Sequence, residues 1–227
     1  MRCVVTAGPT YEPLDPVRRL TNHSTGKLGT SLAAHLAGQG HEVVLLRGVM
    51  AVHRAAVPAN CRVIEFATGA DLARELEGFA STQVAALLHA AAVGDFTFGK
   101  VWREDGAGQR VQVASGKLSS AEGTLLAELQ PTQKILAKLR SWFPNTLLVG
   151  WKYEVEGDRA RAEAAGVRQI EVNQTDGCVV NGPAYGEGFG WLSKRAAPQH
   201  LKDAAQLNAT LASWLLTSSR PSQSRAG

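Results

Sequence analysis

The sequence predicts an α/β fold of Rossmann-like character, in which a doubly wound, mostly parallel sheet carries a projecting β-hairpin arm. β-branched and apolar runs alternate with amphipathic segments of helical length, and this alternation builds parallel sheets with helical crossovers. The chain of 227 residues can bury one large core. We expect a single domain over residues 1–217 and a disordered, Ser/Arg/Pro/Gly-rich tail over residues 218–227.

The first strand is predicted from the apolar run at residues 2–6, which ends at Gly8 and Pro9. Residues 24–27 then open an amphipathic helix, and the Ser and Thr residues among them are expected to cap it. The apolar positions of this helix recur every four residues, at Leu28, Leu32 and Leu36. Strand, loop and helix together form the first βα unit.

The same alternation continues along the chain. Residues 68–71, Thr-Gly-Ala-Asp, form a capping pattern that predicts the start of a helix. The predicted strands cover residues 42–46, 62–66, 84–89, 146–150 and 178–181. Helices are predicted at residues 132–142 and near 159–165, and a closing helix carries one stripe with Leu201, Ala204, Leu207, Leu211 and Leu215.

Residues 98–130 interrupt the alternation. Within them, residues 110–113 and 124–129 flank a Gly/Ser-rich turn, which predicts a β-hairpin. We expect this hairpin to project from the sheet as an arm and lid beside a ligand site.

Charge and hydropathy exclude several classes of partner. The net charge is only +4, and no basic run interleaved with aromatic residues is present, so we expect no nucleic-acid partner. No run of eighteen apolar residues and no signal peptide is found, so we expect a cytoplasmic protein that does not bind membranes.

Cysteines and histidines do not suggest a metal centre. The three cysteines lie far apart, which argues against a disulfide framework or a zinc site. The six histidines show neither HxxxH nor HExxH spacing, so no metal ligand is predicted.

Gly8 and residues 24–27 fall where a parallel sheet binds anions, at the carboxyl ends of strands beside a helix N-terminus. Neither the Walker spacing nor the GxGxxG fingerprint fits, because Leu28 follows Lys27 and no such glycine pattern follows the first strand. The missing fingerprint argues against an NAD(P)-dependent reductase. We expect a phosphorylated ligand that is held by another device.

Two adjoining blocks resemble the signature of the phosphopantothenate–cysteine ligase family, also called phosphopantothenoylcysteine synthetase. They are residues 8–18, Gly-Pro-Thr-Tyr-Glu-Pro-Leu-Asp-Pro-Val-Arg, and residues 20–29, Leu-Thr-Asn-His-Ser-Thr-Gly-Lys-Leu-Gly. Later segments resemble further family motifs in the same order: Ala91-Ala-Val-Gly-Asp-Phe96, Gly116-Lys117-Leu118, Leu148-Val-Gly-Trp151 with Glu154, Val180-Asn181 and Gly188-Phe189-Gly190. The resemblance covers residues 2–215.

This resemblance implies a ligase of coenzyme A biosynthesis that condenses 4′-phosphopantothenate with cysteine through an acyl-nucleotide. CTP or ATP would be the cosubstrate, with Mg²⁺ bridging the triphosphate without a dedicated protein cage. Asn22 aligns with the catalytic asparagine and would bind the activated acyl group, and Lys117 aligns with the catalytic loop lysine. The substrate- and nucleotide-binding residues implied are Gly8, Ser24, Thr25, Gly26, Lys27, Ala91, Ala92, Asp95, Phe96, Asn181 and Phe189.

The family also implies a homodimer formed through the arm. Because the first strand begins at residue 2, we expect any flavin-dependent decarboxylase to be a separate protein.

Some positions depart from the family pattern, and most of them fall on the nucleotide side. Serines follow the loop lysine, larger residues replace two small ones, a glycine replaces an acid, and an asparagine stands where a triphosphate-facing lysine is common: Ser119 and Ser120, Lys152 and Tyr153, Gly182, and Asn173. The alternative function is therefore a divergent, non-catalytic paralogue that binds a nucleotide or phosphopantothenate.

Overall fold

The computed structural model describes residues 1–113, 116, 118, 123–194 and 196–218. Across these residues eight strands form the main sheet. In spatial order they are β13 (Ala196–Leu201), β12 (Phe189–Ser193), β11 (Gly177–Asn181), β10 (Leu147–Tyr153), β6 (Ala86–His89), β1 (Arg2–Ala7), β4 (Glu42–Gly48) and β5 (Cys61–Phe66). The strands from β11 to β5 run parallel, and β12 and β13 are antiparallel.

Helices cover both faces of this sheet. They are α1 (Lys27–Gly38), α2 (Gly69–Phe79), α3 (Ile135–Trp142), α4 (Arg159–Asn173) and α5 (Ala204–Ser218). Helices α1 and α5 pack on one face, where Val5 and Leu45 are fully buried, and α2 and α3 pack on the other, against Val4 and Leu46. Strand residues alternate between the two cores, as the pleat requires. The predicted fold class is confirmed.

The start of α2 agrees with its local sequence signal, whereas the end of α5 differs from the prediction. Helix α2 begins with a complete capping box, in which Thr68 and Asp71 each accept the backbone N–H of the other. Helix α5 extends to Ser218, which the sequence assigned to the tail, and residues 219–227 lie outside the described residues.

Over the described part of the chain, no helix combines the length and apolar character needed to cross a bilayer.

The arm differs from the prediction. A three-stranded antiparallel sheet has β7 (Phe96–Glu104) at its centre, and β8 (Arg110–Gln112) and β9 (Thr124–Pro131) each pair with β7 instead of with one another. The predicted hairpin of residues 110–113 with 124–129 is therefore wrong. The pairing register shifts between Phe98 and Val101, and this bulge breaks the period-two pattern by which β7 would have been recognised.

Two further hairpins were not predicted. Strands β2 (Tyr11–Pro13) and β3 (Arg19–Thr21) form a short ribbon between β1 and α1, and β12 with β13 extends one edge of the main sheet. Both lie in segments rich in proline or glycine, whose composition suggests loops.

Candidate active site

The candidate site lies at the carboxyl edge of the main sheet, where the chain changes direction. From β1 the chain passes through α1 to β4 on one side, and it later returns to place β6 on the other side of β1. Such a topological switch point leaves a crevice beyond the strand ends, where open α/β sheets bind ligands.

Gly8 and Gly26 bring the start of α1 against the end of β1. Both have φ near +80°, at 81° and 77°, a conformation that favours glycine. A Cβ on Gly26 would lie 2.9 Å from the Cβ of Ala51 and 3.3 Å from the Cα of Gly8. This approach leaves no room for a side chain, so the start of α1 packs directly against the end of β1.

The start of α1 is not capped as predicted. Gly26 is the N-cap residue and has no side chain to accept a hydrogen bond, while Ser24 and Thr25 lie before it. The Thr25 side chain accepts the Lys27 N–H at Oγ1 over 3.3 Å. Because the left-handed turn at Gly26 displaces both hydroxyl residues from the cap position, the helix N-terminus can offer N–H groups to an anion.

Asn22 links two loops of the site. It is exposed, and its Nδ2 donates to the carbonyl oxygen of Val93, 3.0 Å away in the loop after β6. This bond orients the amide at the mouth of the crevice and leaves the second N–H of Nδ2 for another acceptor.

The loop after β6 is held against the end of β1 and the loop that follows it by hydrogen bonds. The Ala91 N–H donates to Thr6 Oγ1, and the Ala92 N–H donates to the Gly8 carbonyl, both over 3.0 Å. The Ala92 carbonyl in turn accepts the Thr10 N–H over 3.1 Å. Gly8, Ala91 and Ala92, all predicted site residues, are thus brought together.

Asp95 and Phe96 continue this loop into the arm, and both are exposed. The carboxylate of Asp95 forms an ion pair with Lys134, a residue that the sequence analysis missed. Lys134 occupies the N-cap position of α3 without a capping bond. A cation is unfavourable at a helix N-terminus, and a lysine at a position that usually holds Ser, Thr or Asp is the signal that could have identified it.

The predicted residues Asn181 and Phe189 lie farther along the same edge. Asn181 ends β11, which is separated from β1 by β10 and β6, so it lies roughly 14 Å from β1 at the usual strand spacing. The Asn181 carbonyl accepts the N–H of Glu154 over 2.9 Å, and Glu154 pairs with Lys152 over 3.0 Å. Phe189 is half-buried at the start of β12. These residues form a second part of the edge, separate from the crevice at Gly8.

Four residues singled out by the sequence either lie away from the crevice or are outside the described residues. Lys117, Ser119 and Ser120 are outside the described residues, whereas Leu118 is described and buried. Asn173 ends α4 just before β11 begins, at the amino end of the strands, and its Nδ2 donates to the Gln169 carbonyl. The aligned lysine position therefore faces the opposite edge of the sheet from the crevice.

Metal ligation has no obvious location in the described part of the chain. There, no group of three or more His, Cys, Asp or Glu side chains is arranged to hold a metal ion.

His89 contacts Thr6 where the loop after β6 begins. It ends β6, and its Nδ1 lies 3.0 Å from Thr6 Oγ1, the same hydroxyl that accepts the Ala91 N–H. Burial lowers the pKa of His89 to about 4, so the ring is neutral at pH 7. A neutral ring can accept the Thr6 hydroxyl hydrogen at Nδ1, so that Thr6 Oγ1 links His89 to the Ala91 N–H at the start of the loop after β6.

The low pKa of His89 predicts that stability falls in mild acid. Below pH 6.5 the unfolded chain binds a proton at His89 that the folded chain refuses until about pH 4. Between these values folding therefore loses roughly 3 kcal/mol through this one group. Urea unfolding at pH 7, 5.5 and 4.5 should show this loss in the wild type and a smaller loss in His89→Asn. Identical pH dependence in the two proteins would contradict the assignment.

Comparisons with known proteins identify relatives of this chain. The DNA/pantothenate metabolism flavoprotein C-terminal domain matches residues 1–205. The coenzyme A biosynthesis bifunctional protein CoaBC of Thermococcus kodakarensis is 32% identical over 183 residues, 79% of this chain and 41% of that protein. A cysteine/cysteine sulfinic acid decarboxylase from an unknown prokaryotic organism is 31% identical over 197 residues, 86% of this chain and 49% of that protein. The chain thus spans less than half the length of these curated relatives.

Solved structures share the fold. The DNA/pantothenate metabolism flavoprotein from Streptococcus pneumoniae superposes with a TM-score of 0.82 at 24% identity, covering 96% of this chain and 99% of that chain. A Cab2 variant in complex with phosphopantothenate-cysteine gives a TM-score of 0.68 at 16% identity, covering 97% of this chain and 89% of that chain. The family match over residues 1–205 establishes that the chain belongs to the DNA/pantothenate metabolism flavoprotein C-terminal domain family.

Proposed function

We propose that this domain condenses 4′-phosphopantothenate with cysteine through an acyl-nucleotide intermediate, in the cytoplasm, as a step of coenzyme A biosynthesis. The observation that carries the proposal is the meeting of Asn22 with the loop after β6, beside a helix N-terminus that lacks a side-chain cap. An amide donor and an anion-binding helix end are the groups that an activated acyl phosphate requires. The CoaBC relatives support the same assignment.

The reaction has two steps. In the first, a carboxylate oxygen of phosphopantothenate attacks the α-phosphorus of CTP or ATP, and pyrophosphate leaves. In the second, the amine of cysteine attacks the acyl carbon, the nucleoside monophosphate leaves, and the amine loses a proton. Both steps build negative charge on oxygen, which fixed donors and cations stabilise.

The residues of the crevice suit these demands. Asn22 would donate from its amide to the activated acyl group, and the start of α1 at Gly26 and Lys27 would bind phosphate. Lys134 is a further exposed cation beside the loop after β6. Lys117 would neutralise charge during nucleotidyl transfer. Mg²⁺ would be held by the triphosphate oxygens and would neutralise their charge.

Asn181, roughly 14 Å from β1, and Phe189, one strand farther from β1, would contact the more distant part of the bound nucleotide or substrate. A homodimer through the arm is part of the same proposal, and the exposed side chains of Val111 on β8 and Leu129 on β9 offer apolar surface for it.

A second candidate function is a non-catalytic paralogue that binds a nucleotide or phosphopantothenate. The observation that favours it is at Gly182, which replaces the family's acid. Gly182 has φ 115°, and a Cβ there would lie 2.4 Å from the Glu154 carbonyl oxygen. The loop is therefore built around the absence of a side chain at this position, and restoring the acid would require the backbone to move.

A thermal-shift panel with CTP, ATP, NADPH and 4′-phosphopantothenate tests the binding half of the proposal. A ligand present at one hundred times its Kd adds about 2.7 kcal/mol of stability. We expect phosphopantothenate and one triphosphate with Mg²⁺ each to raise Tm. Stabilisation by NADPH alone would overturn the ligase assignment. Release of CO2 from cysteine or cysteine sulfinate, measured on the same preparation, would instead support the activity named for the decarboxylase relative.

A further inference from the structure

Among the described residues, the short ribbon of β2 and β3 is joined to the arm at Thr97, whose Oγ1 donates to Glu12 Oε2 over 3.2 Å, and at Leu118. Asp15, in the turn between the two strands, accepts the Leu118 N–H at its Oδ2 over 3.3 Å. Arg18, in the same turn, donates from Nη1 to the Leu118 carbonyl oxygen over 3.0 Å. Both backbone groups of one arm residue are therefore held by one pair of side chains, in the manner of a strand bridge.

This contact is built into the fold. The side chain of Asp15 is 1% exposed, and Leu118 is 5% exposed. Burial by itself would raise the pKa of Asp15. Hydrogen bonds from the backbone of Val17, Arg18 and Leu118, together with the charge of Arg18, instead lower that pKa. The carboxylate consequently stays ionised and keeps its acceptor capacity at neutral pH.

The two oxygens of Asp15 have separate tasks. Oδ1 accepts the N–H groups of Val17 and Arg18, over 2.8 and 2.7 Å, and so forms the turn of the ribbon. Oδ2 accepts from Arg18 Nη1 over 2.8 Å and from the Leu118 N–H, and so forms the clamp on the arm. A change confined to Oδ2 would release the arm while the turn remains.

We propose that Asp15 is a positioning residue, which acts through Leu118 to hold the arm against the ribbon that leads to Asn22. Leu118 directly follows Lys117, the candidate catalytic lysine, in the sequence. Asp15 touches no reacting atom in this scheme. Its effect on turnover rests on the proposed ligase function, whereas its effect on Leu118 does not.

Asp15→Asn separates the two tasks. The amide oxygen can still accept the N–H groups of the turn, but Nδ2 then faces two donors, Arg18 Nη1 and the Leu118 N–H. Asp105→Asn is the matched control, because Asp105 Oδ1 makes the same kind of turn with Ala107 and Gln109 at the far end of the arm. Leu118→Ala removes most of the buried Leu118 side chain, which weakens the contact of the arm with the ribbon, and it leaves the turn of the ribbon unchanged.

Amide hydrogen exchange at residue 118, followed by NMR, measures directly how well the Leu118 N–H is protected by its bond to Asp15. In Asp15→Asn we expect exchange to be roughly tenfold faster or more, since a bond to an ionised acceptor is lost. In the ligase assay kcat should fall roughly tenfold or more, because small displacements of catalytic groups are costly. KM for phosphopantothenate should stay within about twofold, since substrate binding is not touched. Leu118→Ala should lower kcat in the same way, and Asp105→Asn should change neither quantity.

Unchanged exchange at residue 118 in Asp15→Asn would overturn the clamp. Faster exchange with unchanged kcat would overturn its role in turnover. Equal loss of kcat in Asp105→Asn would show that any defect in an arm or ribbon turn suffices, and would also overturn the proposal. If the wild-type protein shows no ligase activity the proposed function fails, and the exchange experiment still decides whether Asp15 seats the arm.

Discussion

Asn22→Asp is expected to lower kcat/KM for ligation by roughly 100- to 1000-fold, the usual cost of losing one donor to a developing oxyanion. The substitution has two effects in this structure. It removes the amide donor, and it places a carboxylate oxygen against the Val93 carbonyl that now accepts from Asn22 Nδ2. The repulsion displaces the side chain from the crevice, and the new negative charge opposes an anionic substrate.

The two half-reactions should respond differently. If the amide acts mainly on the acyl-nucleotide, the first step survives better than the second and the intermediate accumulates. Lys117→Gln, by contrast, should slow both steps with little intermediate. Single-turnover assays with labelled nucleotide, with and without cysteine, distinguish these outcomes.

Asn173→Asp is the matched control for Asn22→Asp. Its Nδ2 also donates to a backbone carbonyl, that of Gln169 over 2.9 Å, but it lies at the amino edge of the sheet. We expect near wild-type turnover in this control. Wild-type turnover in Asn22→Asp would remove Asn22 from the catalytic residues.

Gly29→Ala is expected to destabilise the fold by roughly 3 kcal/mol, as overpacking at a rigid contact does. A Cβ at Gly29 would lie 2.6 Å from both the Ala7 Cβ and the Thr6 carbonyl oxygen. Neither is the end of a flexible side chain, so α1 must move away from β1. Since Gly26 and Lys27 begin the same helix, phosphate binding should weaken as well.

Gly38→Ala, in the last turn of the same helix, provides the comparison. Nothing lies within 4 Å of a Cβ built there, so alanine should raise stability by about 0.5 to 1 kcal/mol through its better helix propensity. Urea unfolding of the two variants should therefore give changes of opposite sign. A destabilisation of equal size in both would show that the close approach at Gly29 is not the cause.

Repeating local patterns made much of the fold predictable. A few residues suffice to recognise the apolar runs of β1, β4 and β6 and the capping box at Thr68. Burial on both faces of a strand and capping of a helix each leave a local sequence signal. The shared carboxyl edge of parallel strands pointed to Gly8, whereas Ala91 and Ala92 were identified from the resemblance to the ligase family.

What escaped prediction depends on contacts between distant residues. The cap of α1 is Gly26 because the close approach of α1 to β1 requires a left-handed residue there, and local propensity would choose Ser24 or Thr25. Likewise, β7 is central in the arm because it pairs with two later strands, and its pairing with β9 contains a bulge. Lys134 was identified as a site residue only through its ion pair with Asp95, which lies 39 residues earlier in the chain.

Product formation tests the central claim most directly. Purified protein is incubated with 4′-phosphopantothenate, cysteine, Mg²⁺ and either CTP or ATP, and pyrophosphate and phosphopantothenoylcysteine are measured together, the latter by mass spectrometry. We predict one pyrophosphate per product, with pyrophosphate release that requires phosphopantothenate and is lost in Asn22→Asp. Saturable binding of phosphopantothenate and nucleotide, with neither pyrophosphate nor phosphopantothenoylcysteine formed, would contradict the ligase account and establish the non-catalytic paralogue.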